Sequence, residues 1–283
     1  MIRYLGPILI VVMALGLTCG VAAVLVGGLA ERLTAGADRL TVFDSVAATG
    51  DRGPVIRAAL ADADSGRAIP GALMAIRLEN DWTTWTRTNA TGVATRRGPA
   101  GLRAGMYGFR AGLSELHPRL DVWGPGTVWV WLPGTRVVWI DAAALVPAGG
   151  ADLPAAAAQD LAAHVQALAQ GRRAVYLVTA DAADYAVARR RLRMLGLPLG
   201  PAYWVSTGRE LRLLKDLAQM WPRVDGAVLC GAEMVAAAER LKVPTWQVPA
   251  AGVVGEAIAG EEVWREVRLS LAAPAGGSDL DGR

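Results

Sequence analysis

Little in this 283-residue chain could chelate a soft metal or crosslink, for it holds two cysteines and two histidines. So few of each exclude a disulfide framework and a multi-His/Cys zinc site. Charge is sparse as well, at 19% against 53% hydrophobic residues, and that balance excludes an intrinsically disordered chain. The 33 glycines and 15 prolines follow no period, which excludes a collagen-like repeat. The formal net charge of +3, from 29 basic against 26 acidic residues, is too slight to point to nucleic acid. What remains is a globular chain long enough for roughly two domains of about 100–150 residues, each able to bury a core.

The apolar excess sits partly at the start. No charged residue occurs from Leu5 to Ala30. As a helix, residues 7–29 would be about 35 Å long, enough to cross a hydrocarbon core of about 30 Å. The expectation is a membrane anchor over 1–40 with a single transmembrane helix at about 7–29. A cleavable signal peptide is the rival reading, since Gly28-Leu29-Ala30 has the small-x-small pattern of a cleavage site, but signal cores run about 7–15 residues. A lipoprotein anchor through Cys19 fits less well, because Gly16 stands three residues before it and the apolar run continues beyond. Arg3 before the run and Arg32 and Arg39 after it leave the Lys/Arg bias neutral. A short tail followed by a large body predicts a single-pass protein of the bacterial inner (cytoplasmic) membrane with a periplasmic body.

Residues 41–134 read as an all-β sandwich. Short β-type runs at Val55–Leu60, Ala72–Leu78, Trp82–Thr88, Met106–Ala111, Leu120–Trp123 and Val128–Leu132 alternate with Gly/Pro turns such as Pro70-Gly71 and Gly124-Pro125-Gly126. Asp64-Ser65-Gly66 with Pro70-Gly71-Ala72, then Thr88-Asn89 with Gly92, then Gly105-Met106-Tyr107 resemble the turns of carboxypeptidase-regulatory, transthyretin-like and Cna-B-like modules. The resemblance implies a spacer or docking surface without chemistry of its own. Ten tryptophans beside two phenylalanines are unusual. Trp82, Trp85, Trp123, Trp129 and Trp131 fall in this segment, either as sandwich core or as partner contacts.

Residues 135–270 read as α/β. Val137–Asp141 is an apolar run ending in an acid, as a buried parallel strand would be. Strands at Ala174–Val178, Ala227–Cys230 and Thr245–Val248 alternate with helices at about Ala183–Leu195, Glu210–Met220 and Met234–Leu241, implying a parallel sheet covered on both faces. Tyr176-Leu177-Val178-Thr179-Ala180, the stretch Met194–Pro201 around Gly196-Leu197-Pro198, Lys215 within Leu213–Leu217, and Gly231–Pro244 resemble, in order and spacing, the haloacid dehalogenase-like phosphatases, in particular the lipin-like branch. That resemblance implies a three-layer α/β fold in which Asp141 stands for the nucleophile, Thr179 and Lys215 for phosphate-holding groups, and acids after Gly231 for magnesium ligands. The family's general acid/base, two residues past the nucleophile, is here Ala143. The first acid of the last motif is Ala232, leaving Glu233. A positioned acid/base contributes about 10²–10⁴-fold in rate, so the chemistry is expected to be lost. Asp141, Thr179, Lys215 and Glu233 then become vestigial, with Asp141 and Lys215 as an ion pair.

The expected architecture is therefore multidomain: a transmembrane helix, a β-sandwich, an α/β domain and a tail over 271–283. The expected function is that of a non-catalytic structural or assembly subunit on a larger bacterial membrane protein complex, of respiratory or photosynthetic type. No cofactor, no metal, no nucleic acid and no small-molecule ligand are expected. The alternatives are a membrane-anchored, magnesium-dependent phosphatase acting on a phospholipid or other phosphoester, and a module that binds an anionic ligand. Arg189, Arg190, Arg191 and Arg193 read as the solvated face of a helix. His117 and His164 fall in different segments, which argues against a shared metal site.

Overall fold

The computed structural model describes residues 40–272 except 51, 63–64, 114–122, 148–151, 222, 255–256 and 259. Eight strands come first: β1 (Leu40–Phe43), β2 (Ser45–Ala48), β3 (Val55–Leu60), β4 (Leu73–Leu78), β5 (Thr83–Arg87), β6 (Val93–Arg97), β7 (Gly105–Gly112) and β8 (Trp123–Trp131). They build a three-stranded sheet ordered β1-β3-β6 and a five-stranded sheet ordered β2-β8-β7-β4-β5. Pairing is antiparallel throughout except between β2 and β8, which run parallel. Alternate residues of both sheets face each other, so Ile56 and Ala58 of β3 meet Met74, Ile76 and Leu78 of β4 and Phe109 and Ala111 of β7 in one apolar core. Asn89 fixes the turn before β6 by accepting the Thr91 and Val93 N–H groups, both at 2.9 Å.

The second half alternates. It runs β9 (Val137–Asp141), a 3₁₀ turn at Ala142–Ala144, α1 (Ala155–Leu168), β10 (Arg173–Thr179), α2 (Ala182–Met194), β11 (Ala202–Val205), α3 (Glu210–Met220), β12 (Val224–Leu229), α4 (Ala232–Arg240), β13 (Thr245–Gln247), a short antiparallel pair β14 (Val253–Val254) and β15 (Ala257–Ile258), and α5 (Glu261–Ala272). The five-stranded sheet is all parallel and ordered β11-β10-β9-β12-β13. Strands β9, β10, β11 and β12 each contribute to two cores, as a sheet covered on both faces must, whereas β13 at the edge adds Trp246 to one. Val138, Ile140, Tyr176 and Val178 face α1, α2 and α5, whereas Val137, Trp139, Val175 and Leu177 face α3 and α4.

The two halves are joined along their edges. Asp44, between β1 and β2, forms a parallel bridge with Tyr203 of β11. Phe43 stacks on Trp204 with ring centroids 4.2 Å apart and meets Tyr185 edge-on at 4.8 Å. On the other face Trp131 lies 5.2 Å from Trp221 at the end of α3.

This architecture corrects the fold class expected above. Among the described residues no helix is long and apolar enough to cross a membrane. The 14 residues of α1 span about 21 Å, short of a hydrocarbon core of about 30 Å. The apolar run 7–29 lies outside the described residues. The chain is thus described as mixed α/β with several sheets, one of them wholly parallel. The single-pass transmembrane helix and the inner-membrane placement with a periplasmic body are set aside.

Candidate functional site

In an open parallel sheet the crevice opens beyond the carboxyl ends of the strands, where the strand order reverses. Here the chain leaves β9 towards β10 and β11, then crosses back to β12 and β13, which places the reversal between β9 and β12. Asp141 ends β9, Thr179 ends β10, Cys230 follows β12 and Gln247 ends β13. All four line one cavity of about 1250 Å³. Its other polar walls come from helix starts and one helix face: Asp184 and Arg191 of α2, Glu210 opening α3, and Glu233 in the first turn of α4.

Asp141 is 4% exposed. One carboxylate oxygen caps the 3₁₀ turn by accepting the Ala143 N–H at 3.0 Å, and the other accepts the Cys230 N–H at 3.1 Å. Burial pushes its pKa above the ordinary carboxylate range, opposed by the N–H groups of Ala143, Cys230 and Gly231. Burial first, and then the Asp141 charge, push the Cys230 thiol up to about 12. This cysteine is therefore a protonated, unreactive thiol near neutrality. Its Sγ donates to the Pro249 carbonyl at 3.4 Å. Glu210 is 7% exposed and accepts the Gly208 N–H at 2.8 Å. Arg191 reaches the exposed Asp152 at 3.8 Å.

The structure brings together Asp141, Thr179 and Glu233 and leaves Lys215 apart. Helix α3 buries Leu213, Leu214 and Leu217, which turns Lys215 to an exposed position that does not line the cavity. The Asp141 carboxylate is met by backbone N–H groups, and the expected ion pair with Lys215 is not formed. The positions the phosphatase resemblance reserves for an acid/base and a metal acid are the exposed Ala143 and Ala232. Among the described residues no group of three or more His, Cys, Asp and Glu is placed to hold a metal ion. A magnesium site of that family does not fit the residues present. His164 stacks on Trp264 of α5 with centroids 6.2 Å apart and is not part of this cavity's lining, and His117 lies outside the described residues.

The five tryptophans divide. Trp82 is half-buried against the sandwich core, and Trp129 and Trp131 pack into the core beneath α3 and α4. Trp123 is half-buried, with the Arg77 guanidinium 4.7 Å and that of Arg110 5.9 Å from its ring. Trp85 is 46% exposed. Arg189, read as solvated, is drawn instead into the joint between the two halves, where it contacts Asp44 at 2.5 Å.

Asp184, Glu210 and Gln247 were missed in the sequence reading. For Gln247 a signal existed, since it closes a strand of the parallel sheet and strand ends converge on the crevice. Asp184 and Glu210 carry none beyond lying in the first turns of helices, where acids are common for dipole reasons alone.

No family model and no curated protein matches the chain. Among solved structures it is similar to a carbohydrate acetylesterase from Xanthomonas citri, with 16% identity and a TM-score of 0.30 over 80% of this chain and 63% of that one. It is also similar to a sialyltransferase from Photobacterium damsela, with 16% identity and a TM-score of 0.18 over 65% and 35% of the two chains. Both scores are too low to carry an argument. The chain thus spans 63% of the esterase's length.

Proposed function

We propose that this chain is a non-catalytic interaction protein, an assembly subunit that works through its contacts. One observation carries this reading. At the crevice of the parallel sheet the single strand-end acid, Asp141, is buried and bonded to backbone N–H groups at both oxygens. Ala143 follows it where an acid/base would stand, and Ala232 opens the next helix. A nucleophilic carboxylate needs a lone pair aimed at the reacting centre and a partner to handle the leaving group's proton. Here the carboxylate holds its own strand end and turn, and the cationic Lys215 of the resembled phosphatases points elsewhere. The joint between the halves adds support, because two units fixed against each other present one composite surface to a partner.

A phosphatase assay on the full chain with magnesium, using a phosphatidate and an aryl phosphate, tests it. The expected result is no turnover above that of Asp141→Asn. Turnover that Asp141→Asn abolishes would overturn the reading in favour of an enzyme.

A further inference from the structure

The charge of the cavity runs opposite to what an anion would need. Its lining carries four carboxylates, Asp141, Asp184, Glu210 and Glu233, against the single guanidinium of Arg191. That guanidinium is itself within 3.8 Å of the Asp152 carboxylate. The corner of such a fold that favours anions lies where free N–H groups gather at the start of a helix. Here Asp141 accepts the Ala143 and Cys230 N–H groups just ahead of α4 and places its own carboxylate in that corner. The protein's own carboxylate thus places a negative charge beside that helix start, and Asp184, Glu210 and Glu233 set the sign of the remaining space. Between these charges the wall is apolar, with Val146, Val187, Met234 and Val248. Acids over an apolar wall match a cation carried on an apolar stem, such as a lysine or arginine side chain, whose methylenes can lie along the wall while the head stays with the carboxylates. The volume, about 1250 Å³, exceeds the roughly 300–1,000 Å³ of typical small-molecule pockets. It suits a segment of polypeptide better than a free amine.

We propose that this cavity receives a lysine- or arginine-bearing segment of a partner polypeptide. This rests on the non-catalytic reading and names the chemistry of the contact. Asp184 and Glu233, exposed acids of the lining, are the residues that test it.

Calorimetric titration of the full chain with a twelve-residue peptide carrying one central lysine among alanines and leucines is the experiment. The probes beside it are the same peptide with norleucine or glutamate at the centre, butylamine, and inorganic phosphate. The lysine peptide is expected to bind at least about tenfold more tightly than the other two peptides and than butylamine, as one charge-assisted contact would give. The Asp184→Asn/Glu233→Gln double variant should lose that margin, whereas Glu79→Gln, on the β-sandwich, should keep it. Equal binding of lysine and norleucine peptides, a margin untouched by the double variant, binding of phosphate in preference to the lysine peptide, or absence of peptide binding would each overturn the proposal. Butylamine binding as tightly as the peptide would overturn the polypeptide source. Phosphatase turnover removes the non-catalytic reading whatever the peptides do, while no turnover and no lysine preference removes this inference alone.

Discussion

Asp141 shows how a carboxylate can keep its place in a fold while its job changes. Buried at 4% exposure and bonded to the Ala143 and Cys230 N–H groups, it has a pKa raised by desolvation beyond what those bonds lower. The native state therefore holds the proton more tightly than the unfolded chain, whose aspartates titrate near 3.9. Below that value both states are protonated, and the stabilisation from native proton binding is fully present. As pH rises towards the raised native value, the unfolded chain releases its proton first and the stabilisation is lost. Asn at this position has no proton to release. The difference in melting temperature, Asp141→Asn minus the parent chain, should thus grow as pH is raised from about 4 to about 7. Thermal melts at half-unit pH steps measure it, and a difference that stays flat or shrinks contradicts the assignment. The offset at low pH has a separate origin, since an amide can accept only one of the two N–H bonds through its oxygen.

At the scale of elements, the segment β1–β2 is the hinge pin of the molecule. Asp44 accepts the Thr127 N–H at 3.1 Å from β8 and the Ala202 N–H at 3.2 Å from β11. Its N–H donates to the Tyr185 hydroxyl at 2.9 Å, which in turn donates to the Ala202 carbonyl at 2.6 Å. Arg189 of α2 pairs with Asp44 at 2.5 Å and donates to the Pro125 carbonyl at 3.1 Å, with both charged side chains nearly out of water. Removing one member of a buried pair strands the other charge, at a cost of about 3–5 kcal/mol, whereas replacing both costs less. Arg189→Met should therefore destabilise the chain by about that amount, and Asp44→Asn in the same chain should recover part of it, read from urea unfolding. Strictly additive losses would mean that the pair is not coupled. This joint was illegible in the sequence because its polar residues look like surface ones. Thr41 and Ser45 are buried with their hydroxyls donated to the Ala182 and Val55 carbonyls, both at 2.8 Å, and Asp44 interrupts the apolar run that would have marked a strand. The central strands were legible for the opposite reason. Val137–Ile140 and Ala174–Val178 are buried on both faces and read as continuous apolar runs. Helix α5 went unread although Trp264, Val267 and Leu271 recur at helical spacing. Asp141, Thr179 and Glu233, singled out through a motif, line the same cavity. Lys215 was misplaced because a motif carries spacing but not which helix face turns inward.

At the scale of the whole molecule, neither of the two cores that flank the parallel sheet belongs to one half alone. Phe43 and Ala59 of the sandwich sit among Tyr185, Leu192 and Trp264, and Val46 and Trp131 sit among Leu213, Leu217 and Trp221. A unit that separated would expose these faces and leave Asp44 or Arg189 uncompensated, so local opening of either half draws on the stability of the other. The two halves should then unfold in one transition. Hydrogen exchange followed by mass spectrometry separates them, with β4 and β7 reporting on the sandwich and β9 and β10 on the parallel sheet. Under exchange conditions that sample rare openings, the slowest amides of both pairs should share one opening free energy. Trp221→Ala truncates a fully buried ring 5.2 Å from Trp131, a change worth about 3–5 kcal/mol. It should lower the opening free energy of β4 and β7 as much as that of β9 and β10, although Trp221 belongs to the second half. If only the parallel sheet responds, the halves are independent domains that merely touch. If both respond equally, the rigid pairing that makes one composite docking surface is an equilibrium property of the chain.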